Sequence, residues 1–261
     1  MKLITFLSDF GSNSSYVSQM KGAALSITDA SIIDITHDIS SHNIREGAFV
    51  LRTSVPYFPS GTVNVAVVDP GVGTERKGIV ITTPSQILVG PDNGLLIPAA
   101  RFLGKFTVYE ITNTKLMLHF VSYTFHGRDV FSPVAAHILN GTLFEHIGPI
   151  ISKYVDLNFG KFEINKSSAI GKIIYIDNFG NIITNIDGLE FCNVSDFGKN
   201  VTFFIGKKTY RAQFVKSYDF VKKGEVLLTV GSSNYLEISI NQENAAKKLG
   251  VKPDDDIKIL Y

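Results

Sequence analysis

The stretch Val63-Asn-Val-Ala-Val-Val-Asp-Pro-Gly-Val-Gly-Thr-Glu-Arg76 decides the architecture of the first part of this chain. Its opening six residues are almost wholly apolar and rich in valine, as in a strand covered on both faces, and the run stops abruptly at Asp69-Pro70-Gly71. Shorter apolar runs at 3–7 and 32–35 are separated by helical spacing. Val17, Met20, Ala24 and Ile27 follow that spacing behind a capping Ser14 or Ser15, and 129–139 reads as a further helix. Alternation of this kind predicts an α/β unit with a mostly parallel sheet and covering helices. Ligand crevices in such sheets form at the carboxyl ends of the strands, so the residues that follow the runs come first as candidates. They are Asp9 in Ser8-Asp9-Phe-Gly11, Asp38 in Thr36-His37-Asp38, and Asp69.

Beyond residue 168 the pattern changes. Strand-like runs at 172–176, 182–186, 201–205, 226–230 and 236–240 are separated by polar or Gly turns, which predicts a small β-barrel or sandwich. One helix, 243–249, stops at Gly250, a position where a left-handed cap is favoured. Residue usage shifts at the same place: all six histidines and eight of nine prolines precede residue 155, whereas 13 of 19 lysines follow it. The expected organisation is an α/β domain at 1–157, a polar linker at 158–169 and a smaller barrel domain at 170–261.

Composition bounds the function. An apolar share of 44% against 19% charged residues describes a chain that packs a core, so disorder is excluded. A net charge of +1, with no basic block, gives nucleic acid nothing to bind, and small substrates are expected. The single cysteine, Cys192, excludes an intrachain disulfide framework and a cysteine-based zinc site, and its expected role is packing. The first seven residues are too short an apolar run for a signal-peptide core, and no run is long enough to span a membrane, so a cytoplasmic protein is expected.

In the 69–76 loop, Gly71 and Gly73 allow a tight turn that can fold Arg76 back beside Asp69. A structural salt bridge or a turn Asp is the alternative. A dinucleotide fingerprint is not completed, because Arg76 stands where its third glycine belongs, and no Lys-Ser/Thr follows. Asp9-Phe-Gly11 matches a kinase triplet by chance, without the other kinase segments. His126, in Phe125-His-Gly-Arg-Asp129 just before a helix, is placed to stay neutral and move a proton. The other histidines lack the spacing of a metal site, so no metal is expected. In the second part, Asp177-Asn-Phe179-Gly-Asn181 and Gly231-Ser232-Ser233-Asn-Tyr235 are either plain hairpin turns or a ligand surface. Their carboxylate, amide, hydroxyls and ring suit an amino-acid or nucleoside ligand.

Taken in order, Ser8 to Gly11, Glu46-Gly47-Ala48, Val68 to Arg76, Pro91-Asp-Asn-Gly94, Phe125 to Asp129, Asp177 to Asn181 and Ser232 to Leu236 resemble the S-adenosylmethionine hydroxide adenosyltransferases, whose superfamily includes fluorinating and chlorinating enzymes. The resemblance covers nearly the whole chain. It implies an α/β domain and a carboxyl-terminal β-barrel, a homotrimer with active sites between one subunit's first domain and its neighbour's second, and conversion of S-adenosylmethionine and water to adenosine and methionine without a cofactor. It implies a water-activating set of Asp69, Arg76 and His126. It also implies that Asp9 binds the ribose hydroxyls, Asp177 the methionine amino group, Ser232 and Ser233 the carboxylate, and Asn181, Phe179 and the backbone around Ala245 the adenine.

The halogenating relatives are expected to carry Tyr at the place of Asp69, Ser-Arg at the place of Ser232-Ser233, and an extra interdomain segment. The departures here disfavour a halide-dependent adenosyltransferase, and they leave the methionine carboxylate without that Arg. A non-catalytic sensor of adenosine or S-adenosylmethionine is the other rival, and the intact Asp69, Arg76 and His126 set argues against it.

Overall fold

The structure, a computed structural model, describes residues 2–261. The chain forms two compact units, one ending at Asn158 and the other running Phe159–Tyr261.

The first unit carries β1 (Leu3–Ser8), β2 (Ser31–Thr36), β3 (Val63–Val67), β4 (Gly78–Thr82), β5 (Ile87–Pro91) and β6 (Thr107–Glu110), in the spatial order β2-β1-β3-β5-β4-β6. The pairs β1–β2, β1–β3 and β3–β5 are parallel, as the valine-rich run predicted. Strand β4 is antiparallel to both its neighbours, so one edge of the sheet is a meander. The helices are α1 (Ser15–Leu25), α2 (Ile44–Ser54), α3 (Ile97–Leu103) and α4 (Ser132–Leu139). Helix α1 starts where a hydroxyl can cap it: Ser14 accepts from Tyr16 N at 3.2 Å. Its Val17, Met20 and Ala24 face inward, and Met20 and Ala24 join Ile4, Phe6, Val65 and Val67 of the central strands in one core.

The helix expected over 129–139 begins differently. Gly127–Phe131 is a π-helical turn that runs directly into α4. Both the backbone N–H and the hydroxyl of Ser132 donate to the Gly127 carbonyl, the latter at 2.7 Å, and Pro133 has no N–H to offer the regular ladder. This turn fixes the direction in which His126 leaves the helix.

The second unit contains β7 (Glu163–Ile164), β8 (Ser168–Ile176), β9 (Ile182–Asp187), β10 (Asn200–Ile205), β11 (Lys208–Phe214), β12 (Val226–Val230), β13 (Tyr235–Ile240) and β14 (Asp256–Leu260), with short helices α5 (Gly188–Cys192) and α6 (Ala245–Leu249). Seven strands close a barrel in the order β14-β10-β11-β12-β13-β9-β8, sealed by pairing of β8 with β14, while β7 lies on β8. Alternate residues point inward, as Val201, Phe203 and Ile205 do on β10, and Phe191, Phe203 and Phe214 are fully buried. Burying each such ring contributes about 1.5–3 kcal/mol. The polar stretch 158–169 holds β7 and the first residues of β8, with Phe162 and Ile164 packed on the barrel core. Helix α6 ends at Gly250 with φ 68°, the left-handed cap its sequence predicted. Among the described residues no helix is long and apolar enough to cross a membrane.

Candidate active site

Asp69 lies just beyond the end of β3, and the loop returns Arg76 onto it. Arg76 Nε donates to Asp69 Oδ1 at 3.1 Å and Nη2 donates to Oδ2 at 2.6 Å, a bidentate pair whose side chains are only 8% and 5% exposed. The guanidinium also stands 5.3 Å from the centre of the Phe131 ring. Gly73, at φ 77°, makes the turn possible for two reasons. The angle is unfavourable to other residues, and a Cβ there would lie 2.2 Å from the Tyr123 carbonyl oxygen of the segment leading to His126.

That close approach brings His126 to the pair. Its Nδ1 is 3.0 Å from Arg76 Nη2. A guanidinium can only donate, so Nδ1 holds a lone pair and the ring proton sits on the other nitrogen. Burial, then the Arg76 charge, lowers the His126 pKa below its ordinary value and keeps the ring neutral. Burial acts on Asp69 in the opposite sense, holding its carboxyl above the usual carboxylate range although Arg76 and His126 pull it back. With two acceptor sites taken by Arg76, the carboxylate retains lone pairs for a further donor such as water. Removing one member of a buried pair like this costs about 3–5 kcal/mol.

The other strand-end aspartates are held separately. Asp9 accepts from His42 N at 2.8 Å, and Asp38 accepts from Ser12 N at 2.9 Å and Ser12 Oγ at 2.6 Å. Neither touches the Asp69 set. Beneath them His37 is buried, its Nδ1 2.7 Å from Ser8 Oγ. Its Nε2 lies 3.1 Å from Asp34 Oδ1 but out of hydrogen-bond alignment, so this histidine ties the end of β1 to the segment after β2 by packing and one good hydrogen bond. Among the described residues no three His, Cys, Asp or Glu side chains converge as a metal site would require.

In the barrel unit, a cavity of about 820 Å³ is lined by Asp177, Phe179, Asn181 and Ser232 of the two turns singled out from sequence, together with Tyr218 and Glu237. The Asp177 carboxylate shapes its own turn, accepting from Phe179 N at 2.9 Å, Asn181 N at 2.8 Å and Asn181 Nδ2 at 2.9 Å. Gly180, at φ 87°, leaves the space into which the Asn244 side chain fits, and Ala246 N donates to the Gly180 carbonyl at 2.9 Å. Phe179 is 79% exposed, a ring presented rather than packed. Ser233 is the chain neighbour of Ser232, and Ala245 is fully buried at the start of α6, so its backbone alone is available.

Sequence reading missed Tyr218 and Glu237. Glu237 sits within an apolar strand, and a carboxylate between Leu236 and Ile238 is the signal that marks it. Tyr218 OH donates to Glu237 Oε1 at 2.9 Å, and burial, followed by the Glu237 charge, pushes its pKa up to about 12, so it remains a donor.

A buried, hydrogen-bonded Asp-Arg-His set at the strand ends of an α/β unit, followed by a barrel with a polar cavity, is the layout of a two-domain enzyme. Residues 4–148 match the SAM hydroxide adenosyltransferase N-terminal domain and residues 171–258 match the SAM hydroxide adenosyltransferase C-terminal domain, SAM being S-adenosylmethionine. The chain belongs to the SAM hydroxide adenosyltransferase family. It is 42% identical to the (R)-S-adenosyl-L-methionine hydrolase of Methanocaldococcus jannaschii, over 100% of this chain and 97% of that one. A fluorinase of Actinopolyspora mzabensis is 26% identical, over 98% and 96%. The crystal structure of an uncharacterized conserved protein from Thermotoga maritima superposes with a TM-score of 0.94 at 39% identity, covering 99% of this chain and 100% of that one.

Proposed function

We propose that this enzyme hydrolyses S-adenosyl-L-methionine to adenosine and L-methionine, using the (R) sulfonium epimer that the names of its hydrolase relatives specify. The observation that carries the reading is the buried Asp69-Arg76-His126 set, with Asp rather than the Tyr expected of a halogenating site.

The sulfonium is already a good leaving group, so catalysis reduces to placing one water in line with the ribose 5′ carbon and making it nucleophilic. The water oxygen forms the new bond to that carbon, the carbon–sulfur bond breaks, and its electron pair stays on the sulfur of methionine. The water's proton leaves through a lone pair of Asp69, the group whose raised pKa suits it to accept. Arg76 fixes the carboxylate and stabilises the developing hydroxide. His126, whose Nδ1 already accepts from Arg76, orients the guanidinium instead of taking the proton. In the same reading Asp9 holds the ribose hydroxyls, Asp177, Ser232 and Ser233 the methionine portion, and Phe179, Asn181 and the Ala245 backbone the adenine. The reaction needs no metal or cofactor, and the protein works as a cytoplasmic homotrimer.

The test is incubation of the pure protein with each separated sulfonium epimer, in EDTA, with adenosine scored by chromatography and the assembly sized by light scattering. Adenosine from the (R) epimer supports the reading. A 5′-halogenated nucleoside in chloride or fluoride, or binding without turnover, overturns it.

A further inference from the structure

The barrel cavity contains a carboxylate oxygen with no partner among the described residues. Glu237 is 7% exposed on the central run of β13, between the fully buried Leu236 and Ile238. Its Oε1 accepts twice, from Tyr218 OH at 2.9 Å and Ser239 Oγ at 2.7 Å. Its Oε2 accepts from no described residue. A Cβ on Gly231 would lie 2.8 Å from Oε2, which places that oxygen beside the turn that continues into Ser232.

Burying a carboxylate is costly unless a positive charge compensates it. Among the described residues no lysine or arginine lines this cavity, whereas Asp177, Asp219, Glu237 and Glu243 all do. The two hydroxyls that hold Oε1 would be served as well by a neutral glutamine carbonyl, so the folded barrel alone has no use for the charge. Asp177 spends three acceptor contacts on its own turn, which leaves Oε2 of Glu237, on a mostly buried side chain, as the anionic oxygen of the site with no partner among the described residues.

We propose that Glu237 accepts from the ammonium of the substrate's amino-acid portion and thereby makes the cavity selective for ligands that carry it. This rests on the reading above, in which the methionine portion lies at Asp177 and Ser232. An ammonium offers three donors, one for Oε2 and another for Asp177, while Ser232 serves the carboxylate. Tyr218 and Ser239 act as positioning residues, since they hold the Glu237 carboxylate in one rotamer.

The experiment is calorimetry on the full-length protein with two ligands that lack the sulfonium: S-adenosylhomocysteine, which has the amino-acid portion, and 5′-methylthioadenosine, which does not. Wild-type protein should prefer the first, and Glu237→Gln should reduce that preference about tenfold to a hundredfold while leaving 5′-methylthioadenosine affinity unchanged, as expected for loss of one charged hydrogen bond. Gly231→Ala, which presses a methyl onto Oε2 without altering the charge, should lower the same ratio, and it serves if the Gln variant does not fold. Tyr218→Phe should retain the preference in larger part. An unchanged ratio in Glu237→Gln, equal loss of both ligands, or no preference in the wild type overturns the proposal. Failure of the hydrolase reading shows separately, as absence of adenosine from S-adenosylmethionine.

Discussion

His126 Nδ1 faces Arg76 Nη2 at 3.0 Å, and because the guanidinium cannot accept, the imidazole must. The histidine is therefore a neutral acceptor that aims a cation, and the cation in turn holds Asp69 by both oxygens. The chain of command runs from the π-helical turn, through His126 and Arg76, to the carboxylate.

Replacing Arg76 with Lys keeps the charge and loses the fork. Adenosine formation should fall about a hundredfold to a thousandfold in kcat, the cost of removing one preorganised donor. Binding of S-adenosylhomocysteine should stay within a few-fold of wild type. Near-normal kcat in this variant would show that the bidentate geometry is dispensable.

Asp69 acts as an acceptor only when ionised, and burial raises its pKa above the ordinary 3.8. The rate should therefore rise with pH along a limb lying above the normal carboxylate range, and Asp69→Asn should remove that limb along with the activity. Stability follows His126. Its folded pKa is lowered from 6.5, so below that pH the unfolded chain takes up the proton first. Thermal stability should decline as pH falls through this window and level off once the folded form is protonated too; His126→Gln should flatten the slope.

Gly73→Ala adds a methyl that would meet the Tyr123 carbonyl at 2.2 Å, at a φ of 77°. The two loops must separate, so a loss of about 1–3 kcal/mol in stability is expected together with a fall in kcat. A melting curve and a turnover assay on the same preparation check both. Full activity would mean that the loop contact does not position Arg76.

At Gly180 the added methyl would fall on the Asn244 side chain, at 2.1 Å from its Cγ. Gly180→Ala should displace the turn from α6 and raise KM more than it lowers kcat, because no member of the Asp69 set is disturbed. A drop confined to kcat would place this turn outside the binding surface.

Much of this was visible in the residues themselves. Runs such as 63–68 and 226–230 are interrupted by a single polar residue each, Asn64 and Thr229, and are otherwise apolar, so they announce themselves. Strand β14 does not: in Asp256–Leu260 only Ile257 and Ile259 turn inward, and their charged neighbours disguise a strand as a polar tail. Strand β11 is hidden likewise, with Ala212 and Phe214 its only buried residues. Asp69 and His126 could be chosen because one follows a strand and the other precedes a helix, and Arg76 because a glycine turn can fold it back beside Asp69. Their meeting depends on Gly73 and on the π-helical turn, which are matters of backbone angle and of Pro133's missing donor. Glu237 escaped notice because alternation within 236–240 counts apolar residues and does not reveal which face is closed.

The seam between β8 and β14 has a consequence for how the chain comes off the ribosome. Every strand of the first sheet lies before residue 111, and that unit is complete by Asn158, so it can begin to fold while later residues are still being made. The barrel has no such freedom. Ser168 must wait for its partner Leu260, so the cylinder stays an open ribbon with bare edges until residue 260 has been made. Synthesis that stalls before β14 is made would release a finished first domain tethered to a sheet in search of a strand.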